Sequence, residues 1–75
     1  MAEILTDGVH LVCGELNALH AFARRMGFRR GWFQDGRHPH YDLTTHRAFN
    51  RAITAGARLA SRHEILEATR NARTP

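Results

Sequence analysis

Short apolar stretches broken by glycine-bearing turns occupy the front of the chain, and helical periodicity takes over behind them. Glu3 to Leu5 and Val9 to Val12 flank Thr6-Asp7-Gly8, and Asp-Gly between β-prone runs predicts a hairpin or one strand entered from a turn. With Gly14 as N-cap, the stretch from Glu15 to Met26 has helical period. Leu16, Leu19, Ala23 and Met26 share one stripe, which Phe22 broadens. Arg24 and Arg25 suit the negative end of the helix dipole, and Gly27 is a natural stop.

Phe28 to Gln34, with Trp32 and Phe33, reads as a strand, and Asp35-Gly36 turns out of it. Arg37 to Leu43 reads as an extended loop held by Pro39. Thr44 or Thr45 caps a second helix from about His46 to Ala55, with Ala48, Phe49, Ala52 and Ile53 inward and Gly56 at its end. Arg58 to Ala60 is a short strand candidate. Ser61 and Glu64 have capping-box spacing before a third helix that reaches about Arg70, and residues 71–75 are expected to fray. The order β(β)-α-β-loop-α-β-α predicts a single α/β domain over residues 1–75: a small sandwich with a short, mostly parallel sheet, three helices and right-handed crossovers.

Length and composition narrow the class. At 75 residues, 43% hydrophobic and 24% charged, the chain has the make-up of one globular domain rather than a disordered segment. No apolar run approaches the roughly 20 residues of a membrane span. Met1-Ala2-Glu3 lacks the basic and apolar regions of a signal peptide, so a cytoplasmic protein is expected. The single cysteine, Cys13, excludes an internal disulfide and a multi-cysteine zinc site, and is most simply a core residue. So small a domain leaves much apolar surface uncovered, which makes a homo-oligomer an economical expectation.

Charge points to the partner. All 11 basic residues are arginine, against 7 acidic residues, for a net charge of +4. A codon bias that replaces lysine is the simpler account of this composition, and beside it arginine's planar fork of donors matches phosphate oxygens. The densest polar chemistry is Arg37-His38-Pro39-His40-Tyr41-Asp42. In an extended chain alternate side chains share a face, so His38, His40 and Asp42 are expected to project together, with Arg37 and Tyr41 opposite. Two imidazoles and a carboxylate suit a divalent transition metal, acid–base work, or recognition of a phosphate. The plainer alternative is a histidine bonded to the loop backbone, with Asp42 capping the next helix. Arg47, four residues before Arg51 on the second helix, would place a cation beside that helix's free N–H groups and the histidines, a sensible anion pocket. Arg29 and Arg30 precede Trp32, which could stack on a base. Phe33 reads as core and His20 as a satisfied, partly buried histidine, while Asp7 and His10 reach the site only if the first strand ends against the loop.

The series Leu-Thr-Asp-Gly-Val-His-Leu-Val, Leu19-His20-Ala21-Phe22, Trp32-Phe33-Gln34 and His38-Pro39-His40-Tyr41-Asp42, with Ala-Gly-Ala-Arg-Leu-Ala-Ser-Arg-His-Glu behind, resembles a bacterial and phage family. That family is the domain of unknown function numbered four thousand and thirty-one, and the likeness covers nearly the whole chain. Where many relatives carry a Val-Tyr-Val-Asp-Asp strand, Ile4-Leu5-Thr6-Asp7-Gly8 stands here, leaving Asp7 alone of an aspartate pair. The resemblance implies a small cytoplasmic α/β domain, often phage-encoded, with no established reaction and no catalytic residues to carry over. It directs attention to His38, His40, Tyr41 and Asp42, and adds interest to Trp32 and Gln34.

The leading expectation is therefore a non-catalytic binding module for a phosphate-bearing small ligand such as a nucleotide. In the phage setting of the lookalikes, that ligand could be an immune signalling nucleotide held as by a sponge. The residues expected to contact it are His38, His40, Tyr41, Asp42, Arg47, Trp32, Gln34 and Arg37, without a cofactor. The enzymatic alternative is a phosphoesterase or nuclease using histidine or a divalent metal ion on His38, His40 and Asp42. A nucleic-acid or protein adaptor is the third class, but the arginines are spread over all elements rather than gathered in one stripe.

Overall fold

Asp7 folds the front of the chain back on itself. Its Oδ1 accepts the backbone N–H of Val9 (2.9 Å) and of His10 (2.8 Å), and Gly8 takes φ +105°, a conformation side-chain-bearing residues rarely adopt. In the computed structural model, which describes residues 2–73, this turn joins β1 (Ile4–Thr6) to β2 (His10–Cys13). The two are antiparallel, with Ile4 opposite Cys13 and Thr6 opposite Leu11. Then follow α1 (Leu16–Arg25), a short 3-10 turn (Arg30–Trp32), β3 (Tyr41–Asp42), α2 (His46–Ala55), β4 (Arg58–Leu59) and α3 (Arg62–Arg73). This is the hairpin form of the front end, and a small α/β domain.

The four strands lie in the order β3-β2-β1-β4. Only β1 and β4 run parallel; β1–β2 and β2–β3 are antiparallel. The expectation of a mostly parallel sheet is thus corrected to a mixed one, for a local reason. The tight Asp7-Gly8 turn obliges β2 to return antiparallel, and Phe28 to Gln34 does not form the strand expected of it. Phe28 and Phe33 both pack against the same core, whereas in a strand residues five apart would face opposite sides. The 3-10 turn lets both aromatic rings point inward. Only Gln34 pairs, as an isolated antiparallel bridge to His40.

Side-chain alternation along β2 divides the interior. Leu11 and Cys13 join Leu19, Phe22, Ala23 and Met26 of the α1 region, Tyr41 and Leu43, and Ala52 and Ala57 around α2. Val12 faces the other way, with Leu5, and meets Ile65 and Ala68 of α3. So α1 and α2 cover one face and α3 the other. Ile53, expected inward on α2, is 38% exposed, because Ala52 occupies the centre of the contact.

Helix α1 is capped by Glu15 rather than by the expected Gly14, with no side-chain cap hydrogen bond, while the ends of α2 and the start of α3 follow the sequence closely. Thr45 Oγ1 accepts the N–H of Ala48 at 3.0 Å, and Gly56 ends α2 with φ +120°. Ser61 and Glu64 form a reciprocal capping box: the Glu64 carboxylate accepts the Ser61 N–H (3.0 Å), and Ser61 Oγ accepts the Glu64 N–H (3.2 Å). Helix α3 extends to Arg73, beyond the expected end near Arg70; of the tail expected to fray, residues 74 and 75 lie outside those described. Among the described residues no helix is long and apolar enough to cross a membrane.

Candidate functional site

The antiparallel register of β2 and β3 sets His10 directly opposite Asp42, and Leu11 opposite Tyr41. Cross-strand partners share a face. His10 and Asp42 consequently stand together on the α3 side, while Tyr41 turns into the α1/α2 core. His40 lies on the same side as Asp42, its Nε2 3.1 Å from Asp42 Oδ1. The His10 and His40 rings meet edge to face at 4.9 Å between centroids.

His10 and His40 border a groove of about 620 Å3 between the sheet and α3. Val12, Ala60, Ile65 and Leu66 form its apolar lining, and Asp7, His10, His38, His40, Arg62 and Thr69 its polar one. A narrower cleft shares His38, Leu66 and Thr69 with it and adds Arg37 and Arg70. Apolar walls with a few converging polar groups, at this size, are the usual make-up of a small-ligand site.

Each histidine at the groove is held through Nδ1. His10 Nδ1 lies 2.9 Å from Asp7 Oδ2. His40 Nδ1 lies 2.6 Å from the carbonyl oxygen of His38, which can only accept. His38 Nδ1 is 3.2 Å from Thr69 Oγ1, and that hydroxyl already donates to the Leu66 carbonyl at 2.9 Å, so His38 is the donor. Burial pushes the Asp7 carboxyl upward. The hydrogen bonds from the His10 ring and from the His10 and Val9 N–H groups outweigh that and hold it at about 2. The backbone of His40 is pinned too, by its two bonds with Gln34 (2.8 and 3.2 Å), and Pro39 beside it is buried.

The residues expected to form one site fall into several places. His40 and Asp42 do come together. His38 leaves the expected trio and reaches across to Thr69 of α3 instead, because the chain bends over residues 36–38 rather than running extended there. The structure puts His10 in its place. Tyr41 is corrected from ligand contact to core: it is 1% exposed, packed against Phe28 and Phe33, with its hydroxyl 2.9 Å from His20 Nδ1. Burial lowers the basicity of His20, helped by the charge of Arg30, and burial raises the Tyr41 phenol. His20 is thus the satisfied, part-buried histidine expected, and Cys13 is a fully buried thiol whose pKa burial raises.

Arg47 does not adjoin the histidines. It lines a separate open cleft of about 510 Å3 with Arg25, Met26, His46 and Arg51, and Arg51 donates to the Met26 carbonyl at 2.8 Å. The expected union of the α2 N-terminus with the histidine loop fails because α2 packs on the opposite face of the sheet. Trp32 is 52% exposed, against Phe28, outside the groove lining. Gln34 contributes its backbone, which positions His40, rather than a side chain. Arg37 sits at the adjoining cleft.

Arg62, Thr69 and Val12 were not legible as groove residues. Arg62 follows the Ser61 cap, yet nothing in its neighbourhood in sequence tells which side of the sheet α3 covers. His10 carried a signal, a histidine one residue from a predicted turn, but its partner 32 positions away is set only by the β2–β3 register.

A family model described as a protein of unknown function (DUF4031) matches residues 6–72. No curated protein and no solved structure matches the chain.

Proposed function

The chain belongs to the DUF4031 family, whose description names no activity, and from the chemistry of the groove we propose a binding module for a phosphate-bearing small ligand, of nucleotide size. The observation that carries this reading is the groove itself. Arg62 and three histidines converge over an apolar lining, with Arg37 and Arg70 at the adjoining cleft. The Arg62 guanidinium donates to phosphate oxygens, as does each imidazole when Nε2 also carries a proton, while Val12, Ile65 and Leu66 offer a surface for an apolar or planar moiety. A volume near 620 Å3 suits a mononucleotide better than a polymer. The proposed contacts are His10, His38, His40 and Arg62, with Arg37 at the margin, whereas Tyr41, Trp32 and Arg47 lie outside the groove lining.

Native mass spectrometry of gently purified protein tests this directly, since it weighs a retained ligand and counts the chains holding it. A co-purifying mass in the nucleotide range is expected for the wild type. It should be lost in Arg62→Ala and His38→Ala and kept in Arg47→Ala. Loss in Arg47→Ala with retention in the other two would move the site to the α2 cleft and end this assignment. Turnover of an added nucleotide would replace the binding module by an enzyme. Affinity for random duplex DNA that falls steeply with salt would replace it by an adaptor.

A further inference from the structure

We infer that His10, His40 and Asp42 bind a first-row divalent transition-metal ion at the β2–β3 edge, with Asp7 and the His38 carbonyl holding the two imidazoles in the ligating tautomer. Geometry is the first support. One candidate ligand atom from each of the three residues lies within 4.8 Å of the others. Donors sharing one ion at bonds near 2.1 Å stand roughly 3.4 Å apart, so side-chain rotations of about an ångström close the site. The three side chains come from two paired strands, and His10 and Asp42 are direct cross-strand neighbours.

The second support is the direction of the hydrogen bonds. A carbonyl oxygen has no proton to give, so His40 Nδ1, 2.6 Å from the His38 carbonyl, must carry one. That leaves Nε2 as the nitrogen able to ligate, and Nε2 faces Asp42 Oδ1 at 3.1 Å. A bare nitrogen lone pair and a carboxylate oxygen repel at that distance unless a cation lies between them, either a second proton or a metal ion. His10 repeats the pattern, with Nδ1 on the Asp7 carboxylate and Nε2 left over. A ligating imidazole anchored through its other nitrogen by a carboxylate or a backbone carbonyl is how proteins orient such ligands.

Ligand type selects the ion. Two imidazoles and one carboxylate suit zinc, cobalt, nickel, iron or manganese, whereas magnesium and calcium take oxygen donors. Cys13, the sole cysteine, is fully buried, and Leu11 and Cys13 face the opposite side of the sheet from Val12, so no thiolate takes part. Three protein ligands leave coordination positions open beside the groove. A phosphate oxygen could fill one of them; that last link rests on the ligand reading above, and the ion site does not.

The test uses the metal alone. Chelator-treated full-length protein is titrated with Co2+, followed by its visible absorption, and with Zn2+ by calorimetry. One ion per chain is expected, at micromolar or tighter affinity, weakened at least tenfold in His10→Ala and in Asp42→Ala. His63→Ala should bind as the wild type does, since His63 lies 3.6 Å from Glu67 on an exposed helical face. As a positioning residue, Asp7 should lower affinity about tenfold in Asp7→Asn without shifting the Co2+ bands, because the ligands are unchanged. A measurement without variants guards against misfolding: substoichiometric Co2+ should perturb the amide resonances of His10, His40 and Asp42 first in the wild-type NMR spectrum. No saturable binding below about 100 μM would overturn the site, as would perturbation centred on His63 and Glu67, or affinity unchanged in both ligand variants. Either way the phosphate reading is untouched, because no phosphate is present.

Discussion

Under α1 and α2 the sheet is closed by a deep cluster rich in aromatic and aliphatic side chains, with Leu11, Leu19, Phe22 and Tyr41 buried and Phe28 and Phe33 packed around them. Under α3 the buried set is Leu5, Val12, Ile65 and Ala68, and beyond it the sheet edge opens into a groove rimmed by histidines. One helix cannot span a face that two helices cover on the other side. Two helices over one face bury the larger core, and the single helix over the other leaves polar side chains around an open groove, where the proposed ligand would sit.

Hollowing each face in turn should have the largest and most unequal effects. Leu19→Ala removes a fully buried side chain from the thick core and should cost about 2–5 kcal/mol, read as a lower midpoint in urea denaturation. Leu66→Ala, at a residue 41% exposed beside the groove, should change stability by only about 0.5 kcal/mol while weakening ligand binding. Equal destabilisation by the two would erase the distinction.

A smaller effect tests the assignment of Tyr41. Tyr41→Phe removes the hydroxyl bonded to His20 and should cost about 1 kcal/mol. Because the ring points away from the groove, metal and ligand affinity should not move. A variant of native stability with lost affinity would return Tyr41 to the site.

Acid stability separates the turn from the core. Asp7 is held at about 2 against an ordinary 3.8, and Glu64 at about 2 against 4.5, chiefly by the Arg58 side chain and the Ser61 N–H. Both folded values are depressed, so on acidification the unfolded chain takes up protons first. Their stabilisation is present above about pH 4 and is lost as pH falls toward 2. Denaturation series across that range should show a shallower decline in Asp7→Asn than in wild type, and a modest one because the group is largely solvated. An unchanged slope would remove Asp7 from the account.

The least effect is expected at Arg58, which donates to Glu3 (2.8 and 3.1 Å) and to Glu64 (2.8 Å) on the open surface. Exposed bridges of this kind contribute little and are screened by salt. Arg58→Ala should lower the denaturation midpoint slightly in dilute buffer and not at all in 1 M salt; a large loss that persists in salt would mean that the bridge organises the β1–β4 edge.

Local interactions were legible from residue order alone. The Asp7-Gly8 turn, the Thr45 cap, the stops at Gly27 and Gly56, and the Ser61–Glu64 box depend on neighbours within a few positions, and each is present. Alternation through His40, Tyr41 and Asp42 likewise foretold that Tyr41 would oppose the other two. What the order of residues could not decide was partnership at a distance. The pairing of His10 with Asp42 depends on strand register, and Arg62 lines the groove only because α3 crosses the face that α1 and α2 leave open. Phe28 to Gln34 has the composition of a strand, yet the core draws both phenylalanines inward and leaves a turn. Residue order fixed the three helices, the front hairpin and most of their caps, though not the segment from Phe28 to Gln34, because turn and capping energies are set within one turn of chain. Packing and register added His10 and Arg62 to the groove, because they bring together atoms that the chain separates.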